Sequence, residues 1–396
     1  MPIKRKKIVV VGGGFGGIKA ALETAKLKEC QVTLISDRDH FLVYPSLYST
    51  ATGWSRQQSM IQLDEVFHGS TVKIVHDTVT DIDPRQKVII GKDDKYNYDK
   101  AIFALGVVTN YFGIKGLDTY SYSIKSAPEI DRFKNHLHQA LAHEKHIDKN
   151  YVVIGGGPTG VELSAALATY VAQIADKHGI DHKKLQIDLI EAAPRVLPRM
   201  SEKASQLVYD KLLSLNVSVM TNKNVESENK NSVLVSGVDM PSHTVVWTSG
   251  VSNHPFFQDN SDVFTLAENK RVMVDEHLMA YEDVFVIGDN ANTDYSGLAQ
   301  TAIADGKFVA KVIHSTLHNK RIPAYRPSRP IVVIPVGHNW AIAEYKNLRV
   351  KGYPAHILRM LADFICYLDY FSFVHALTLF MTKSHREEDC TTCHDK

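Results

Sequence analysis

The sequence predicts an α/β fold: two Rossmann-like dinucleotide-binding domains followed by a C-terminal amphipathic, membrane-associated helical segment. Three observations carry this. A strand, glycine turn and helix pattern occurs twice. Each copy leads to a second apolar strand that ends near an acidic residue. The chain then closes on an aromatic-rich stretch of helical period.

A chain of 396 residues exceeds one ordinary core and calls for two or three domains. With 44% apolar and 22% charged residues, its composition is that of a folded protein. The formal net charge of +1 offers no field for nucleic acid, so no such partner is expected. Lys4 to Lys7 run straight into an apolar strand and read as its solvated lead-in. That start lacks the apolar stretch of a signal peptide, and Cys30 and Cys366 have no cysteine near them in sequence. Both features point to the cytoplasm and away from a disulfide framework.

IVVVGGGFGGIKAALETA at Ile8–Ala25 recurs in outline as YVVIGGGPTGVELSAALATY at Tyr151–Tyr170. Ile18, Ala21, Leu22 and Ala25 share one helix face in the first copy; Val161, Leu163, Ala166 and Leu167 do so in the second. Gly12, Gly14 and Gly17, then Gly155, Gly157 and Gly160, fit GxGxxG. The first glycine permits a tight turn, the second lets the backbone approach a pyrophosphate, and the third lets helix and strand pack closely. The helix start presents free N–H groups and a partial positive charge to phosphate. Phe15 and Gly16 complete the first turn; in the second, the Thr159 hydroxyl can reach a phosphate beside Pro158. Asp37 and Glu191 end the second strand of each copy, where a carboxylate accepts from ribose hydroxyls. Glu191 repels a 2′-phosphate and so favours NADH over NADPH, while Arg195 lies near enough in sequence to weaken that discrimination.

The organisation follows. Residues 1–111 form the first part of one dinucleotide domain, 112–248 the second domain, 249–330 the return to the first, and 331–396 the C-terminal region. Strand signals at Gln186–Ile190, Val217–Met220, Val233–Val235 and Thr244–Trp247 build the second domain. Val284–Ile287, running into Gly288-Asp289, and a helical pattern over Ala299–His314 mark the return. Arg321–Pro330, rich in Pro and Arg, is a connector.

On these residues the chain resembles the two-dinucleotide flavoproteins, and among them the type II (alternative, non-proton-pumping) NADH:quinone oxidoreductases, from about Lys7 to Gly352. The resemblance implies FAD on the first glycine turn and NADH on the second. It places Pro45, in FLVYPSLYSTATG, beside the flavin ring, and Val79, in DTVTDID, against the adenine. Ala104 and Gly106 fall in the inter-domain link, Gly250 in the return from the NADH domain, and Gly288 and Asp289 in the second FAD fingerprint. Ala299 and Gln300 open the helix beneath the flavin, where N–H dipoles stabilise charge on the reduced ring. Glu162 matches a carboxylate near the nicotinamide, and with Gln300 forms the implied catalytic pair. The implied reaction passes hydride from NADH to flavin and two electrons to a membrane quinone. Three positions depart from the family pattern: Ala304 replaces a second glutamine, Ser36 stands where the strand-end acid is usual, and Ala104-Leu105-Gly106 replaces an alanine-threonine-glycine motif. A soluble NADH diaphorase or oxidase, a sulfide:quinone oxidoreductase-like protein and a non-enzymatic NAD(H)-binding protein remain open at this point. A redox-pair disulfide reductase would need paired cysteines near the flavin, and no such pair occurs there.

From Pro354 to Met381 the pattern is one of an amphipathic helix, with Leu358, Leu361, Ile365 and Leu368 on one face and Arg359 and Asp363 opposite. The uncharged run Tyr370–Thr382 is too short to span a bilayer, which takes about 20 residues. An interfacial helix fits, on the cytoplasmic side of the cell membrane; packing on the protein or in a homodimer is the alternative. Deleting 354–396 is expected to release the chain from membranes and leave FAD bound. Cys390, Cys393 and His394 spell CxxCH, but without export they read as a tail and no metal site is expected.

Overall fold

The computed structural model describes residues 5–382 and 386, other than 146, 149 and 184. Cys390, Cys393 and His394 therefore lie outside the described residues. β1 (Lys6–Val11), β2 (Cys30–Ser36), β3 (Lys73–His76) and β4 (Lys100–Phe103) are parallel and stand in the order β4-β1-β2-β3. Later in the chain Val284–Val286 joins the β4 edge in parallel, and Met279–Tyr281 closes the sheet antiparallel. Helices cover one face and bury Ile8, Val10, Leu34, Ile102 and Phe285 fully, while an antiparallel three-stranded sheet, Val79–Asp83, Val88–Gly91 and Lys95–Asn97, covers Val9, Val11, Ile35 and Phe103 on the other together with Phe256, Phe257 and Phe264. With both faces covered, β1 reads as an unbroken apolar run from Ile8 to Val11.

The second sheet has four parallel strands: β5 (Tyr151–Ile154), β6 (Ile187–Ile190), β7 (Val217–Met220) and β8 (Thr244–Trp247), in the order β7-β6-β5-β8. The two modules share a register. Val11 pairs with Ile35, and Ile154 with Ile190, so each glycine turn leaves the sheet beside the end of its neighbouring strand. The modules are joined by Val107–Thr109 and Val251–Asn253, which pair antiparallel.

Helix α1 (Phe15–Ala25) follows the first turn and α2 (Pro158–Lys177) the second. Helix α3 (Ala299–Leu317) lies on α1 at a close crossing, where a side chain at Gly306 would come within 2.8 Å of the Ala20 nitrogen. A three-stranded antiparallel sheet, Val332–Pro335, Ala341–Tyr345 and Leu348–Gly352, then packs Ile334, Val336 and Ile342 into the core of the second module.

The C-terminal region corrects the expectation of a single helix. Two helices form, α4 (Tyr353–Leu368) and α5 (Phe373–Thr382). The break has a cause. Asp369 is held by Lys19 of α1 and Lys307 of α3, and Tyr370 turns inward onto Phe15 and Phe41. Tyr370 also donates its hydroxyl to the Phe15 carbonyl at 2.9 Å. The outer face of both helices is apolar and open, with Leu361 51%, Ile365 59% and Val374 73% exposed. Among the described residues no helix is long and apolar enough to cross a membrane.

Candidate active site

Both glycine turns have the shape that phosphate binding requires. Gly12 and Gly155 sit at φ 112° and 114°, a region closed to most residues. A side chain at Gly17 would overlap the Gly12 carbonyl, and one at Gly160 the Gly155 carbonyl, so strand and helix can meet only through glycine. At Gly14 and Gly157, by contrast, a Cβ meets nothing within 4 Å. Neither α1 nor α2 has a side-chain cap, so the first N–H groups of each helix face open space. Two anion cradles thus exist in one chain, and neither is plugged. Their openness and uncapped helix starts suit a diphosphate such as those of FAD and NADH. Thr159 is exposed on the first turn of α2, and Phe15 is buried against Phe41.

The strand-end groups differ between modules. Glu191 stands at its turn: Oε2 accepts from Gly156 N at 2.5 Å and Oε1 from Ala193 N at 2.7 Å. The matching place in the first module holds Ser36, buried beside Gly13, while Asp37 points outward and meets Arg38 only at 3.6 Å. Asp37, Arg38, His40, His76 and Ser126 line an open cleft of about 540 Å³ at the ends of β2 and β3. Val79 is buried and directly follows the pair Asp77-Thr78. Asp77 anchors that segment by accepting from Thr78 N at 2.6 Å and from the Tyr96 hydroxyl at 2.7 Å.

The second fingerprint closes over the link between modules. Gly288 is left-handed at φ 68°, and burial raises the Asp289 carboxyl above its usual range against the pull of Arg271. Two residues that sequence reasoning missed hold this turn. Asn290, fully buried, accepts from Gly106 N at 2.8 Å and donates to Gly106 O and Asn253 Oδ1, each at 2.6 Å. Asp305, also fully buried, accepts from Gly288 N at 2.9 Å and from the Tyr325 hydroxyl, and burial lifts its carboxyl to about 6. Ala104 is buried beneath the first turn. Gly250 is left-handed at φ 73°, and a side chain there would strike Phe112 and the Asn110 carbonyl.

Helix α3 begins at Ala299 and Gln300 without a side-chain cap, which leaves its N–H groups bare. Gln300 is exposed and donates to the Ile331 carbonyl at 3.2 Å; Ala304, one turn on, is exposed as well.

Glu162 lies on α2, 7% exposed, but not as a simple helix-start acid. It pairs at 3.1 Å with Arg359, which arrives from α4. Arg359 also bonds Asp363 at 3.0 Å, the Val333 carbonyl at 3.2 Å and the Pro45 carbonyl at 2.7 Å. One guanidinium thus joins α2, the Pro45 segment and the C-terminal helix α4. Burial lifts the Glu162 carboxyl to about 7, although Arg359 opposes it. The available signal in the sequence was the charge pair at i, i+4 in an otherwise apolar helix, Arg359 and Asp363.

A family profile described as pyridine nucleotide-disulphide oxidoreductase matches residues 6–306. The chain is 30% identical to the type II NADH:quinone oxidoreductase Ndh of Mycobacterium tuberculosis, covering 80% of this chain and 74% of that one. It is 26% identical to a type II NADH:quinone oxidoreductase of Staphylococcus saprophyticus, covering 91% and 94%. Among solved structures, NDH2 from Plasmodium falciparum in complex with NADH superimposes with a TM-score of 0.85 at 20% identity, covering 97% of this chain and 99% of that one. The sulfide:quinone oxidoreductase of Aquifex aeolicus gives 0.78 at 20% identity, covering 98% of each.

Proposed function

We infer that this chain, which belongs to the pyridine nucleotide-disulphide oxidoreductase family and within it to the type II NADH:quinone oxidoreductases, seats FAD on its first glycine turn and NADH on its second. It is an enzyme that carries electrons from NADH to flavin to quinone. The observation that supports the placement of the cofactors is the pair of open, uncapped helix starts at Gly14 and Gly157.

Bound there, FAD supplies the hydride acceptor and the two-electron donor to quinone. The chain supplies position and charge. Gly12 to Gly17 hold one diphosphate, Asp289, Val79 and the cleft rimmed by Asp37 flank the rest of the flavin nucleotide, and Pro45, Ala104 and Gly106 border its ring. Gly155, Gly157, Thr159, Gly160 and Gly250 hold the coenzyme, with Glu191 at its ribose. The bare N–H groups of Ala299 and Gln300 favour negative charge above the helix start, and the Gln300 amide can donate to a quinone carbonyl. The reaction consumes a proton besides the hydride, and Glu162, whose carboxyl burial raises to about 7, is placed to exchange a proton near neutral pH.

The membrane surface is the partner we assign to the outer face of α4 and α5, on the cytoplasmic side. Apolar side chains from Tyr353 to Met381 cover it, and the charges of α4 are drawn inward to Arg359 and Asp363. A homodimer through the same face is the competing occupant, and sedimentation with and without vesicles separates the two. Purified protein should be yellow, bleach anaerobically with NADH, and regain colour faster with a menaquinone or ubiquinone analogue than with oxygen. Colourless protein that cannot be reconstituted with FAD, or colour that returns only with oxygen, would refute this reading.

A further inference from the structure

We propose that Arg195 is a positioning residue for the coenzyme: it holds the segment 197–200 in the one shape that grips the second glycine turn, and it leaves discrimination against a 2′-phosphate to Glu191. The inference rests on the placement of NADH at that turn.

Arg195 lies between β6 and the helix Glu202–Ser214. A cation four residues beyond the ribose-binding acid is where a phosphate ligand would be sought in a sequence. Its guanidinium is instead committed to the protein. Nη1 donates to Met200 O at 2.8 Å, to Ser205 Oγ at 2.6 Å and to Leu197 O at 3.3 Å, and Nη2 donates to Pro198 O at 2.7 Å. Among the described residues no carboxylate pairs with it; three carbonyls and a hydroxyl hold it. A side chain spent on carbonyls of its own loop fixes the loop's conformation.

That conformation is one the loop would not adopt alone. Leu197 is left-handed at φ 48° and 2% exposed, a costly state for a bulky non-glycine residue. In this state its N–H reaches the Gly156 carbonyl at 2.7 Å. Gly156 is then held from both sides, its N–H by Glu191 Oε2 and its carbonyl by Leu197. The turn that meets the coenzyme is therefore held by a chain of contacts that runs from Glu191 through Gly156 and Leu197 to Arg195. The first module has no such chain, because Ser36 stands in place of the carboxylate and its Oγ accepts from Arg38 N. The clamp belongs to the side that must bind and release a nucleotide in each turnover.

The test uses the holoenzyme with Arg195→Met and Arg195→Lys. For Arg195→Met, NADH KM and the dissociation constant of NAD⁺ for the oxidised enzyme should both rise about tenfold. Saturating kcat, FAD content and the visible spectrum should stay unchanged, and the NADH:NADPH ratio of kcat/KM should stay within about threefold. Arg195→Lys should recover part of the affinity. Ser205→Ala, which removes one acceptor of Arg195 together with a donor to the Val196 carbonyl, gives a smaller rise in KM and keeps the proposal testable if Arg195→Met does not fold. A selective loss of NADPH use with NADH KM unchanged would make Arg195 a phosphate ligand and overturn the proposal; unchanged affinity for both coenzymes in every variant would overturn it too. Gly157→Asp, which places a carboxylate in the open cradle, tests the premise separately: if NAD⁺ binding is not weakened, the assignment of NADH to this turn is what fails.

Discussion

Replacing Arg359 with Met removes the charge at the centre of the site and keeps the side-chain bulk. The consequences can be worked from its partners. Glu162 loses its counter-ion while buried, Asp363 loses a bond of 3.0 Å, and the Pro45 and Val333 carbonyls lose a donor. Removing one partner of a buried ion pair costs about 3–5 kcal/mol, because the other charge stays behind. Glu162 can escape part of that by taking up a proton. Its folded-state value, raised by burial from 4.5 to about 7, means that the folded protein binds more protons than the unfolded chain between those limits. Stability from this group therefore falls as pH rises from about 4.5 to 7, by about 3 kcal/mol in all. Without Arg359 the carboxyl rises further, and the decline continues above pH 7. Holoenzyme melts followed by flavin emission at pH 5.5 and 8.5 read this directly. The variant should lose a few degrees at pH 5.5 and clearly more at pH 8.5, and Glu162→Gln in the same background should remove most of the difference. A loss equal at both pH values, and unchanged by Glu162→Gln, would refute the coupling.

Other consequences are simpler to read. Gly160→Ala forces a methyl into the Gly155 carbonyl, so NAD⁺ binding should fall at least tenfold, about 1.4 kcal/mol, while FAD content holds; equilibrium titration of the yellow protein checks this. Asp37→Asn should change FAD affinity less than about threefold, because the carboxylate stands in solvent, whereas Ser36→Val, which crowds Gly13, should empty the site; FAD content after gel filtration distinguishes them. Tyr325→Phe leaves a buried Asp305 oxygen without its hydroxyl, a change worth about 1–3 kcal/mol, and should loosen the Gly288 turn enough to be seen as faster FAD loss in mild urea.

The fold was legible because its determinants are local. Glycines at φ 112° and 114° and overlapping carbonyls at Gly17 and Gly160 admit no other residue, so the turns announce themselves in sequence. The strand signals at Val217–Met220 and Thr244–Trp247 coincide with β7 and β8: β8 is buried along its whole length and so keeps a nearly continuous apolar run, and β7, at the sheet edge and half-buried, keeps Val217, Val219 and Met220 around Ser218. The site was legible only where it follows those turns. Asn290, Asp305 and Arg359 act across 184, 17 and 197 positions of chain, and no periodicity reports such distances. The break between α4 and α5 was hidden for the same reason: Asp369 ends a helix because Lys19 and Lys307 hold it, and both belong to other elements.

The same long-range contacts reverse one expectation about the C-terminal region. If α4 and α5 were only a membrane anchor, deleting 354–396 would leave FAD in place. Their inner faces argue otherwise. Arg359 holds the Pro45 carbonyl, Tyr367 donates to the Gln58 carbonyl at 2.8 Å, and Tyr370 caps the Phe15 carbonyl beside the first glycine turn. Tyr367, Tyr370, Ala376 and Leu379 are buried with the core of the first module, so deletion exposes that core as well. Truncated protein should therefore lose FAD and aggregate, and its failure to sediment with vesicles would say nothing about membrane affinity. Substitution on the outer face alone isolates the membrane contribution. Leu361→Lys with Ile365→Lys removes two apolar side chains worth about 1.5–3 kcal/mol each when fully buried in lipid, and touches none of the inward contacts. FAD content and NADH oxidation with a soluble acceptor should be unchanged, while binding to vesicles of zwitterionic phospholipid, which the new lysines do not attract, should weaken more than tenfold. Unchanged vesicle binding by a protein that keeps its flavin would mean that the exposed face of α4 has another occupant, and a shift from dimer to monomer in the same variant would identify that occupant as a second copy of the chain.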